Sequence, residues 1–169
     1  LPKPFLNFSQ QTILGMPSLF FVWLILIVIA AFVMMKTRFG RNVYVIGSSA
    51  EVARLSGINI RINIYAIYAV CAFLSAVGGI LMTSRLANGI PTGGEGYELD
   101  AIAASVIGGA SLSGAEGSII GTALGAIIIA TMSNGGNLLG IDPFVIKIIT
   151  GILIVVSVFA DQLRKMMSK

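Results

Sequence analysis

The chain has 169 residues, of which 56% are hydrophobic and only 11% charged, and its mean hydropathy is +0.95. That composition excludes an ordinary soluble domain and points to an integral membrane protein. The net charge of +4 does not point to nucleic acid, because the basic residues gather at the ends of apolar runs, where membrane topology requires them.

Residues 1–16 place Pro2, Pro4, Phe5 and Phe8 among polar residues, the pattern of an interfacial segment with aromatic rings at headgroup depth. Leu1 is not a methionine and no basic-then-apolar leader follows it, so the chain is expected to be a fragment. Pro17 then opens an uncharged run to Met35, long enough to cross the hydrocarbon core. Lys36, Arg38 and Arg41 follow at once, and Arg54 and Arg61 complete a loop with the single acid Glu51. The excess of basic residues assigns this loop to the cytoplasm.

Within the loop, Ser48 and Glu51 have the spacing of a capping box and Gly57 supplies a left-handed stop, which predicts a short helix over 48–57. Val52, Leu55 and Ile58 form its apolar stripe. A helix so short needs something to pack on, either its own membrane domain or a cytosolic partner. Residues 64–83 form the second span. The next loop sets Arg85 against Glu95, Glu98 and Asp100 and is expected outside. The runs 99–112 and 118–134 read as two short spans in a hairpin, with a re-entrant pair as the competing arrangement. Residues 144–160 form the last span, and Arg164, Lys165 and Lys169 keep the tail inside. The fold class is therefore all-α: a polytopic transmembrane helical bundle of about five spans plus a short cytoplasmic helix. This topology leaves the N-terminus outside and the C-terminus in the cytoplasm.

Small residues recur at every fourth position through Ala101, Ser105, Gly109, Ser113, Gly117, Gly121 and Gly125. This permits close helix contact, within the chain or between subunits. Glu98 and Asp100 suit a helix N-terminus as caps or a solute pathway as rim acids. Lys147 either snorkels to the outer interface or pairs with one of them. Asn134 and Asn137, beside Gly135 and Gly136, read as turn residues or as hydrogen-bonding groups at a pore mouth. Cys71 stands alone in an apolar run. The sequence has no His, no cysteine cluster and no phosphate-binding loop. No catalytic, cofactor or metal site is expected, and any ATP must be hydrolysed by another polypeptide.

Four stretches carry a family resemblance: TRFGRNVYVIG from Thr37 to Gly47, EVARLSGI from Glu51 to Ile58, YELDAIAASVIGGASLSG from Tyr97 to Gly114, and NGGNLLGI from Asn134 to Ile141. In these the chain resembles the C-terminal half of the permease subunit of bacterial ABC sugar importers, the ribose, galactose and autoinducer-2 type within the branched-chain-type permeases. The resemblance implies a multi-pass protein of the inner membrane with four partners: an ABC ATP-binding subunit, a periplasmic sugar-binding protein, a second permease subunit and membrane lipid. It implies that Ser49, Glu51, Ala53, Arg54, Leu55, Ser56 and Gly57 contact the ATPase. It also matches Glu98, Asp100, Asn134 and Asn137 to the family's outer-side motifs. Two departures stand out, Gly47-Ser48-Ser49 before the short helix and Gly114-Ala115 in the hairpin turn. A truncated membrane scaffold that binds an ATPase without conducting solute is the alternative from another class.

Overall fold

The computed structural model describes Ser9, residues 11–13 and residues 15–167. Pro2, Pro4, Phe5, Phe8 and Lys169 lie outside the described residues. A minimal antiparallel pair, β1 (Thr12–Ile13) and β2 (Met16–Pro17), turns at Gly15, whose φ is +80°. Everything after it is helical or connecting, so the fold is an all-α membrane bundle. By contacts the chain divides into two compact units, one running to Asn42 and again over Ala53–Glu95, the other over Val43–Val52 and from Gly96 onward.

In the first unit α1 (Ser18–Lys36) follows Pro17, whose fixed φ of −58° leads into the helix. Its nineteen residues rise about 28 Å, close to the hydrocarbon thickness. One side chain ends it and begins the next helix. The Thr37 hydroxyl donates to Val33 O at 2.7 Å and accepts from Gly40 N at 3.3 Å. The chain bends so sharply there that a Cβ on Gly40 would lie 2.1 Å from Met34 O. Only glycine fits at that position.

The helix that follows, α2 (Arg38–Ser48), was not among the sequence expectations. The short α3 (Ala50–Leu55) comes next, and α2 and α3 bridge the two units along the chain. In the first unit α4 (Ile60–Leu86) begins at Asn59, whose side chain accepts from Ile62 N at 3.2 Å. Asn42 Nδ2 donates to Asn63 Oδ1 at 3.3 Å, tying the first half of α2 to the start of that helix.

The second unit contains α5 (Tyr97–Ile107), α6 (Ile119–Leu138) and α7 (Pro143–Met167). Ala103, Ala104 and Ile129 form its buried centre, with Ile107, Ala126, Met132 and Ile154 against them. Small residues dominate because α5 and α6 meet backbone to backbone. A Cβ on Gly108 would lie 2.4 Å from Gly121 O, one on Gly121 2.1 Å from Gly108 O, and one on Gly125 2.0 Å from Ala104 O. Where lipid offers no hydrophobic drive for association, such contact gains dispersion over the whole seam.

Among the described residues, four helices are long and apolar enough to cross a membrane: α1, α4, α6 and α7. By contrast α5 has eleven residues and rises only about 16 Å, roughly half of the core. The rest of the expected run, 108–112, is non-helical connection. At the far end of α6 the helix continues through Asn134, Gly135, Gly136 and Asn137, which the sequence reads as a turn. Packing overrides the local propensity there. The Ile146 side chain fills the space beside Gly136, where a Cβ would meet its Cδ1 at 2.7 Å. The actual stop lies three residues on, at Gly140 with φ +70°, where Ile141 N donates to Gly136 O and Gly140 N to Asn137 O.

The seam makes an expected outcome. Gly125→Ala should destabilise the chain in detergent by about 1–3 kcal/mol through overpacking against backbone. Gly151→Ala, on α7 with nothing within 4 Å of its added Cβ, should not destabilise the chain and gains up to about 1 kcal/mol of helix propensity. Thermal unfolding of the two variants side by side checks the difference.

Candidate functional site

The loop between α1 and α4 carries the first group of candidate residues. The predicted capping box is corrected by the structure: Ser49, not Ser48, caps α3, accepting from Val52 N at 3.3 Å. The reason is that α2 runs through Ser48, whose hydroxyl turns back to donate to Val45 O at 3.0 Å. Glu51 is exposed and forms no hydrogen bond back to the cap. At the other end Gly57 takes φ +75°. Ile58 N donates to Ala53 O and Gly57 N to Arg54 O, at 3.0 and 3.1 Å. Two bonds of this kind close the helix in a Schellman motif.

Between these caps only Ala53 is buried. Leu55 is 79% exposed and Val52 52% exposed, and Glu51, Arg54, Ser56 and Gly57 are exposed as well. The apolar stripe expected to pack on its own membrane domain or on a partner has Val52 and Leu55 open in this chain, with Ile58 half-buried.

Behind α3, the second half of α2 rests on the connection between α5 and α6. The Tyr44 hydroxyl donates to Gly117 O at 2.9 Å. A Cβ on Gly47 would lie 2.9 Å from Ala115 N, and one on Gly114 2.3 Å from Gly47 O. This is a backbone-to-backbone contact. In the same turn Gly114 has φ +89° and Ala115 φ +65°, so the alanine occupies a left-handed position that ordinarily favours glycine.

The remaining candidates fall elsewhere on the second unit. Glu98 Oε2 accepts from Gly96 N at 3.1 Å, satisfying a free amide at the start of α5. Asp100 is half-buried two residues further into the first turn. Lys147 reaches toward Gly96, whose added Cβ would lie 3.6 Å from its Nζ. No ion pair among the described residues joins Lys147 to Glu98 or Asp100. Asn134 and Asn137 are exposed on the last turns of α6. Of the packing glycines, Gly121 and Gly125 sit on the seam, and a Cβ on Gly117 would lie 3.3 Å from the Ala110 Cβ. Gly109 has open space and φ +88°, while Gly108 makes the close approach.

Sequence reasoning missed α2 and with it Tyr44. A signal was present: Thr37 is a good N-cap, and Phe39, Val43 and Ile46 recur at helical spacing, all half-buried, opposite exposed Arg38 and Arg41. Gly40 and Gly47 inside that stretch obscured it.

These features define a multi-pass helical membrane protein whose short loop helix is fixed at both ends and open on its apolar side. Residues 1–158 match the family described as branched-chain amino acid transport system / permease component, and the chain belongs to that family. Its relatives include the ribose import permease protein RbsC of Bacillus subtilis, 43% identical over 94% of this chain and 49% of the relative. The RbsC of Escherichia coli K12 is 39% identical over 90% of this chain and 47% of its own length. The xylose transport system permease protein XylH of Haemophilus influenzae is 41% identical over 89% and 40%. The chain thus spans about half the length of the curated relatives it matches. No solved structure matches.

The stop of α3 is directly testable. Gly57 has no atom within 4 Å of an added Cβ, so a substitution there costs only backbone strain. Gly57→Val should cost about 1–2 kcal/mol and speed hydrogen exchange of the Ile58 amide about tenfold or more. Asn tolerates the left-handed region, so Gly57→Asn should have the smaller effect.

Proposed function

We propose that the chain forms part of the membrane-spanning subunit of an ATP-driven sugar importer of the bacterial inner membrane, and that α3 docks on a separate ATP-binding subunit. The observation that carries this reading is the exposure of Val52 and Leu55 on a helix with both ends fixed. A two-turn helix gains little from its own hydrogen bonds. Leaving its apolar residues open while investing a side-chain cap and a Schellman stop suits a surface shaped for another protein. The family membership and the ribose and xylose permeases among the relatives support a pentose or related sugar as solute.

In this reading the loop with Lys36, Arg38, Arg41, Arg54 and Arg61 is cytoplasmic. The N-terminus is then outside, and α7 ends in the cytoplasm. The connection between α5 and α6 reaches the cytoplasmic side as well, because Tyr44 and Gly47 touch it. Hydrolysis of ATP belongs to the docked subunit, and a periplasmic binding protein delivers solute to the opposite side. A second permease subunit completes the pathway. Asn134 and Asn137, exposed on a membrane-spanning helix, are suited to line it together with Glu98 and Asp100, since polar groups at membrane depth require water or protein to face.

Co-purification in detergent tests the docking. The full-length permease with its ATP-binding subunit should retain the ATPase, and Leu55→Asp or Arg54→Glu should reduce retention at least about tenfold, as truncation of central contacts does at interfaces. Retention unchanged in both variants would sink the assignment of α3.

A further inference from the structure

The connection between α5 and α6 is irregular, yet it is held from two sides within the second unit. On one side Tyr44 donates to Gly117 O at 2.9 Å, and Gly47 lies directly on Gly114 and Ala115. On the other side stands the end of α7. Ser111 Oγ donates to Asp161 Oδ2 at 2.8 Å and accepts from Lys165 Nζ. Lys165 Nζ also lies 3.4 Å from Asp161 Oδ2 and 4.0 Å from Glu116 Oε2, and Gln162 Nε2 donates to Ser113 Oγ at 3.5 Å. The connection is also braced internally: Ser111 N donates to Glu116 O at 3.0 Å and Ser113 N to Ser111 Oγ at 3.2 Å.

We infer that Tyr44, Ser111, Asp161 and Lys165 are positioning residues that lock the α5–α6 connection between α2 and the end of α7, so that displacement of α3 reaches a membrane-spanning helix through this connection. The inference rests on the docking of α3 proposed above and adds the route by which its motion is passed on.

Three features favour transmission over simple stabilisation. Asp161 and Lys165 are spaced i,i+4 on one face of α7, with side chains 28% and 32% exposed. An ion pair that open to solvent contributes little to stability by itself. Its geometry is nevertheless fixed, because a single hydroxyl bonds to both members and its own backbone is pinned to Glu116. On the opposite side the contact of Gly47 with Gly114 is backbone on backbone, with no flexible side chain between to absorb a displacement. A push on α2 therefore moves the connection, and the connection moves the last turns of α7. Packed elements pass on small shifts in this way because they are not continuously deformable.

The test uses the full-length permease assembled with its ATP-binding subunit and sugar-binding protein in proteoliposomes, measuring solute moved per ATP hydrolysed. Ser111→Ala, Asp161→Asn and Tyr44→Phe should each keep the ATPase bound but lower that ratio about five- to tenfold, the low end of ordinary coupling between sites. Exchanging the pair, Asp161→Lys with Lys165→Asp, should restore much of the ratio, since the Ser111 hydroxyl both donates and accepts. A purely structural role would lower the amount of folded complex and leave the ratio of the folded remainder unchanged. Tyr44→Phe removes a single oxygen and keeps the ring, so it reads the ratio even if the charge variants do not assemble. A wild-type ratio in variants that retain ATPase overturns the inference and leaves the docking of α3 intact. A wild-type permease that retains no ATPase overturns the docking, and the inference falls with it.

Discussion

The contact on which the second unit depends is the meeting of two backbones. Gly108 and Gly121 face each other so closely that either Cβ would overlap the other's carbonyl, and Gly125 does the same against Ala104. This proximity sets what α5 can be. Its eleven residues rise about 16 Å, too little to bridge a bilayer as helix alone. The glycine seam brings α6 directly against α5, and α7 packs on α5 as well. Ser111, Ser113 and Gly114, in the stretch beyond, then meet their partners on α7 and α2.

Around the loop helix the same economy applies with different means. The first half of α2 is started by Thr37 and the second half rests on Gly114, Ala115 and Gly117. The hydroxyl of Ser49 then starts α3 and Gly57 ends it. The residues between carry the chemistry that distinguishes this stretch: two open apolar side chains flanked by Glu51 and Arg54. A surface of this kind combines an apolar anchor with charges at its rim, the composition by which protein interfaces obtain both affinity and orientation.

Much of this was legible in the residues. Long apolar runs located α1, α4, α6 and α7, because hydrocarbon thickness imposes a length that few other constraints imitate. Gly57 was legible as a left-handed stop for the chemical reason that glycine alone takes that conformation freely. What escaped was decided by tertiary contact. Asn134 to Asn137 has the composition of a turn, but Ile146 needs the space beside Gly136 and the helix continues. Ser48 and Ser49 are equivalent caps by type, and only the extension of α2 through Ser48 selects the second. Gly108 and Gly109 are equally small, yet one packs against α6 and the other takes a positive φ. Adjacent identical residues of this sort are separated by geometry that no local pattern encodes.

Thr37 bears on the order of events as the chain is made. Its hydroxyl closes α1 through Val33 O and opens α2 through Gly40 N, so the start of α2 is complete only where the last turn of α1 already exists. Synthesis proceeds from the N-terminal side, so the last turn of α1 is made before the helix whose first turn shares its Thr37 hydroxyl. The two are joined at a hydroxyl rather than through a flexible linker, so a change at Thr37 bears on the end of one helix and the start of the other at once.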